Sequence, residues 1–263
     1  MAECRLYKHA TISSEELGPL WLVDEGRTFF VGPLDYNGPH QHGAPVYLAG
    51  IYGSFRLRIP SGRWLSCRAA VIPAGVLHEL NLGGNPLAVL YIEPSVDGVE
   101  ALTPLINDAY EVNGTVIGRT GEFSILRDLW EDKNSVTWTG QALDDLLAIS
   151  KQRAARRMDP RISAALGGIQ TCIDECAPVA QLARSVGISS SRFQHLFTQE
   201  VGVPFRRYRA WSRMRIAIQA ITQGSNFTTA AYTAGFADQA HFTNDFRRTF
   251  GAPPSGSLLG VRI

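Results

Sequence analysis

The chain has 263 residues, 45% of them hydrophobic and 19% charged, the balance of a soluble globular protein of one large domain or two ordinary ones. It has no apolar run long enough to span a bilayer, and no basic stretch followed by an apolar one at its start, so neither a membrane span nor a signal peptide is expected. The net charge of +1 hides an asymmetry: residues 1–150 hold 10 basic and 18 acidic side chains, residues 161–263 hold 11 and 5. An acidic front and a basic rear point to two domains with different partners, the basic one suited to a polyanion.

Residues 20–95 read as short strands. WLVDEG, RTFFVG, VYLAGIYG, SFRLRIP, WLSCRAAVIPAG and LAVLYIEP are rich in β-branched and aromatic residues. Gly and Pro interrupt them at short intervals, as in a sandwich or barrel. Between the second and third lies PHQHGAPV, with His40 and His42 two residues apart, and His78 follows in PAGVLHEL. Three imidazoles suit Zn²⁺, Fe²⁺, Ni²⁺ or Co²⁺; equally, they suit the wall of a small-molecule pocket or hydrogen bonds within the barrel. Trp21, Tyr36, Tyr47, Tyr52 and Trp64 are the candidate apolar walls.

After Pro94 the spacing turns helical, in GVEALTPLINDAY, EFSILRDLW and GQALDDLLAISKQRAARR. Leu143, Leu146, Leu147 and Ser150 make a stripe, which serves either packing against the strands or a dimer seam. The basic run 151–160 ends at a proline and reads as a linker. Among the four cysteines, Cys172 and Cys176 sit one helical turn apart and read as small buried hydrophobes. Reduced thiols fit a cytoplasmic protein.

From Arg161 onward everything reads as helix, and the chain repeats itself. ARSVG (Ala183 to Gly187) matches AYTAG (Ala231 to Gly235). FTQEVGVP (Phe197, Gly202, Pro204) matches FRRTFGAP (Phe246, Gly251, Pro253), with one extra residue in the second turn. A small residue, a glycine turn and a helix apolar on one face describe a helix-turn-helix, whose second helix enters the major groove. The free faces carry Ser190, Ser191, Arg192, Gln194 and His195 in the first copy, and Gln239, His241, Thr243 and Asn244 in the second. These side chains can hydrogen-bond base edges or phosphates. Arg206 and Arg207, on the helix between the copies, and Arg247 and Arg248 are the candidate phosphate contacts.

SRFQHLFTQEVGVPFRRYRAWSRMRIA and TAGFADQAHFTNDFRRTFGAPP resemble the DNA-binding domain of the AraC/XylS family of bacterial transcription regulators. In that family, positions matching Ser191, Gln194, His195, Gln239, His241 and Asn244 face DNA. The chain departs from the family at Asn244, usually basic there, at the acidic Asp245, and in the tail SGSLLGVRI. Residues 20–95 resemble a cupin: His40, His42 and Gly53 fit its first motif, and Pro73, Gly75 and His78 its second. Val46 replaces the motif's glutamate, so three of four ligand positions remain.

The expected fold is α+β in two domains. A cupin-like jelly-roll barrel (1–97) senses an effector. A helical connector (98–152) offers a dimerisation region, a linker follows (153–160), and an all-α double helix-turn-helix (161–263) reads promoter DNA. The expected function is a non-enzymatic transcription regulator, more often an activator acting with RNA polymerase. A small effector meets His40, His42, His78 and Tyr47, and no cofactor is required. The alternatives are a metal-responsive regulator that uses His40, His42 and His78, and a cupin oxygenase fused to a DNA-binding domain.

Overall fold

A computed structural model describes residues 17–60, 62–94, 99–121, 123–151, 158–171 and 178–262. Cys172, Cys176 and most of the expected linker lie outside the described residues. The first part of the chain is β: β1 (Leu20–Val23), β2 (Arg27–Pro33), β3 (Tyr36–His40), β4 (Val46–Gly50), β5 (Phe55–Arg58), β6 (Leu65–Cys67), β7 (Ala69–Ile72), β8 (His78–Asn81) and β9 (Pro86–Ile92). Four short strands follow: β10 (Ile106–Asn107), β11 (Tyr110–Val112), β12 (Thr115–Gly118) and β13 (Thr120–Gly121). The helices are α1 (Ser124–Glu131), α2 (Thr139–Lys151), α3 (Pro160–Thr171), α4 (Val179–Ser185), α5 (Ser190–Val201), α6 (Phe205–Thr222), α7 (Phe227–Thr233), α8 (Gln239–Phe250) and α9 (Ser255–Leu258).

The strands form a seven-stranded sheet ordered β1-β2-β9-β4-β7-β12-β11 and a four-stranded sheet ordered β3-β8-β5-β6. The two pack into a jelly-roll-like sandwich. Val46, Leu48, Phe55, Leu57, Ile72, Leu80 and Val89 fill the space between them. The outer face of the large sheet is also covered. Leu126, Leu129 and Trp130 of α1 and Leu143, Leu146 and Leu147 of α2 pack there against Phe29, Tyr47, Val71 and Leu90. Burial on both faces explains why VYLAG, AAVI and PLAVLYI show no apolar–polar alternation. It also settles the α2 stripe: it packs on the strands, with the Ser150 hydroxyl donating to the Ala101 carbonyl.

The connector differs from expectation. Residues 99–105 hold two short 3-10 turns, and residues 106–121 are β, with β12 pairing antiparallel to β7. The β11–β12 hairpin turns at Asn113 and Gly114, both at positive φ (50° and 77°). An Asn-Gly pair is the preferred two-residue hairpin turn, and it outweighs the helix-like spacing of the apolar residues. The expected helices 98–152 thus reduce to α1 and α2.

The helical domain shares its core with the sandwich. Trp211, Phe205, Tyr208 and Phe250 belong to the same buried cluster as Trp21, Leu48 and Tyr91. The C-terminal tail runs back across the β domain: Arg262 donates its backbone N–H to the Pro19 carbonyl and lies over the Trp130 ring.

Candidate DNA-reading helices above a buried histidine cluster

The two helix-turn-helix units, α4–α5 and α7–α8, are built alike. Ala183 and Ala231 are buried at 1% and 0% exposure, where the helices of each pair meet. Gly187 and Gly235 take positive φ in the turns (72° and 73°). Ser189 caps α5 by accepting from the Arg192 N–H at 3.2 Å, and Asp238 caps α8 by accepting from the His241 N–H at 2.7 Å. Gly202 and Gly251 end the two helices in the left-handed region. Phe193, Leu196 and Phe197 bury one face of α5, and Phe242, Phe246 and Phe250 one face of α8.

The opposite faces are open. Ser191, Arg192, Gln194 and His195 are exposed on α5, with Ser190 half-buried. On α8, Gln239 and Asn244 are exposed, and His241 and Thr243 are half-buried. Arg206, Arg207, Arg247 and Arg248 are all exposed. The second helix is more internally tied than the first. Gln239 accepts from the Thr228 hydroxyl at 2.8 Å. His241 accepts from the Ala237 N–H through Nδ1, and its Nε2 lies 3.5 Å from Asp245. Asp245 also pairs with Arg248 at 3.3 Å and Arg213 at 3.9 Å, so surrounding bases offset its acidic charge.

The expected sensor residues divide. His40, His42 and His78 come together with ring centroids 4.2–4.9 Å apart and are at most 3% exposed. Tyr47 does not join them. It sits on the alternate face of β4, in the core beneath α1 and α2, because successive strand residues point to opposite faces. Trp21 does line the cavity beside the histidines, whereas Tyr36 and Tyr52 are exposed at 49% and 41%. Trp64 stacks under Arg56 and Arg58.

The histidine cavity measures about 40 Å³ and is lined by Trp21, Asn37, His40, His42, Tyr91 and Phe250, among others. Burial pushes His40 down to about 4 and His78 to about 3. His42 is held well below its usual value by burial and then by the neighbouring imidazoles, opposed by the nearby backbone of Thr249. All three rings are therefore neutral at physiological pH.

Among the contacts that tie the helical domain to the β domain, two were not evident from sequence. The first sits at the end of α8. Asn37 Nδ2 donates to the Phe250 carbonyl at 2.6 Å and the Gly38 N–H to the Gly251 carbonyl at 2.9 Å. The second is Glu93, 1% exposed at the end of β9. It accepts from the Tyr208 hydroxyl and the Trp211 indole N–H, both at 2.8 Å, and pairs with Arg215 at 3.1 Å. The lone carboxylate in the apolar run PLAVLYIEP was the available signal for it.

A family profile described as a helix-turn-helix domain matches residues 182–257. Over 100 residues the chain is 32% identical to the HTH-type transcriptional regulator GlxA of Rhizobium meliloti, covering 38% of this chain and 31% of that one. Over 105 residues it is 32% identical to the arabinose operon regulatory protein of Escherichia coli, covering 39% and 36%. The matches thus span about a third of these relatives' length. The structure of ToxT from Vibrio cholerae, solved with a bound unsaturated fatty acid, superposes with a TM-score of 0.58 at 13% identity, over 90% of this chain and 96% of that one. The whole two-domain fold is therefore shared with a solved protein, and the repeated helix-turn-helix is shared in sequence. In its C-terminal region the chain is therefore similar in sequence to these transcription regulators, and over its length it shares the fold of ToxT.

Proposed function

We propose that the protein is a sequence-specific DNA-binding transcription regulator, more often an activator, whose promoter occupancy is set by an effector bound between its sensor and reading domains. The observation that carries this reading is the pair of capped recognition helices with open polar faces and exposed flanking arginines. Helix α6 has 18 residues, a length of about 27 Å at 1.5 Å per residue. That is close to one turn of DNA, so one chain sets two recognition helices in successive major grooves. The relatives are named as transcription regulators, which favours a non-enzymatic role. Among the described residues no helix is long and apolar enough to cross a membrane.

ToxT is named with a fatty acid bound. Here a cleft of about 160 Å³ between Pro73, Pro94, Met158 and Gly202 joins the two halves; it is the candidate site for a small organic effector. RNA polymerase, a second copy of the chain and a cytoplasmic setting complete the reading. The test is selection of bound sequences from a random duplex pool by the full chain. A motif with two half-sites one helical turn apart is expected. Recovery of unenriched sequence would overturn the assignment.

A further inference from the structure

The histidine cavity is too small for an organic effector. Its volume of about 40 Å³ is a quarter of that of the cleft of about 160 Å³ between the domains, and far below the roughly 300 Å³ or more of pockets for drug-sized ligands. His40 and His42 line the cavity, and His78 packs against both. The ring nitrogens fit an ion. His40 Nδ1 lies 2.7 Å from the Gly38 carbonyl and His78 Nδ1 2.9 Å from the Val76 carbonyl. A carbonyl oxygen only accepts, so both Nδ1 atoms carry the proton and both Nε2 atoms keep a free lone pair. A backbone carbonyl that fixes the tautomer is the usual support of a metal-bound histidine. His42 Nδ1 and His78 Nε2 are buried without a hydrogen-bond partner, a costly arrangement that a cation would relieve. One nitrogen from each ring falls within a set whose members are all within 4.8 Å of one another. Tetrahedral Zn²⁺ at about 2.0–2.1 Å needs separations of about 3.3 Å, so the rings close by small rotations. Such a three-nitrogen set suits a divalent first-row transition ion such as Zn²⁺ or Co²⁺, with water in the fourth position.

One side of this set is closed by the reading domain. Gly38, whose carbonyl orients His40, donates its N–H to the Gly251 carbonyl at the C-cap of α8. A Cβ on Gly251 would fall 2.7 Å from His40 Nδ1 and 2.4 Å from the Gly38 oxygen. The Phe250 ring lies 5.9 Å from that of His42.

We propose that His40, His42 and His78 form a divalent transition-metal site roofed by the C-terminal end of the second recognition helix, and that metal occupancy locks that helix onto the sensor. The ion fixes the His40 ring, hence the Gly38 carbonyl and β3, and so firms the seat under Phe250 and Gly251. It thereby withholds α8 from DNA. The proposal deepens the regulator reading, and only its DNA arm rests on it.

The experiment uses the full chain stripped by chelator, then titrated with Zn²⁺ or Co²⁺. Metal content, the Co²⁺ visible spectrum and hydrogen exchange at residues 246–252 are read first, and binding to a selected duplex afterwards. One ion per chain, lost in H42A, with exchange at residues 246–252 slowed about tenfold or more, supports the site and the lock. G251A lifts the cap and leaves all three imidazoles. It should bind Co²⁺ and lose the exchange response; N37A, which removes one seat contact, covers the case that G251A misfolds. Absence of stoichiometric metal, or equal loading of a folded H42A, overturns the site. Loading without change at residues 246–252 overturns the lock. If loading and exchange behave as expected and no duplex is bound with or without metal, the regulator reading falls and the metal lock stands.

Discussion

Replacing Glu93 by Gln tests how far the sensor's grip on α6 depends on one buried carboxylate. The wild-type group accepts two hydrogen bonds and faces one guanidinium, all from α6. Glutamine has the same size, but one end of its amide donates, so it either faces the Trp211 N–H donor to donor or forces the Tyr208 hydroxyl to accept. It also leaves the Arg215 charge, on a side chain 11% exposed, without its partner. Removing one member of a buried pair typically costs about 3–5 kcal/mol. Arg215 still reaches the Thr28 hydroxyl at 2.9 Å and the Asp24 and Arg27 carbonyls, so the lower end, about 3 kcal/mol, applies. If that cost falls on docking, the open form gains about 100-fold relative to the closed one. Hydrogen exchange across residues 208–215 and 86–93 should then quicken while the helical content persists, and affinity for a selected duplex should rise. Unchanged exchange and affinity would refute the clamp. So would a single cooperative melt in which both domains lose the full amount together, since the two halves would then not separate.

Three further outcomes are expected. Log affinity for duplex DNA should fall linearly with log salt, with a slope of about −3 to −4 if Arg206, Arg207, Arg247 and Arg248 each meet a phosphate; a flat response contradicts those contacts. Gln194→Ala should relax base preference at one position by about 1–3 kcal/mol, and an unaltered selected motif would remove Gln194 from the readers. Cys67 is fully buried, and burial pushes its thiol up to about 12. Alkylation of the native chain at pH 8, mapped by mass spectrometry, should therefore spare Cys67 until denaturant is added. Rapid labelling under native conditions would show that the sandwich core opens.

The reading domain was legible because its signals are local. Ala183 with Gly187, Ala231 with Gly235, and the closing Phe-Gly-Pro sets all act within one helix pair, and the same geometry recurs twice. The strands that carry the histidines were not legible as strands. Tyr36–His40 is YNGPH, a turn-like composition, and it is β only as an edge strand paired to β8, with a register shift between Asn37 and His40. Val112-Asn-Gly-Thr115 did announce a hairpin, and the helix-like spacing before it obscured the signal. Tyr47 was placed in the sensor cavity because both faces of β4 are apolar, and such a pattern does not tell the two faces apart. The histidine set was visible in sequence, and its roof was not. Asn37 and Phe250 lie 213 residues apart, and no local pattern reports such a contact.

Helix α6 joins the two recognition units, and Glu93 holds it at Tyr208, Trp211 and Arg215, successive positions along one side. The sensor therefore grips the shaft itself, in addition to seating the end of α8 at Phe250 and Gly251. A straight helix held along its length works as a splint: signals that loosen or tighten the grip free or stow the whole rod and do not stretch it. The distance between the two half-sites read by one chain is then a constant of the fold, the same in every ligation state. What varies with signal is how often the pair is presented, so operators for this chain should share one internal spacing whatever condition induces them.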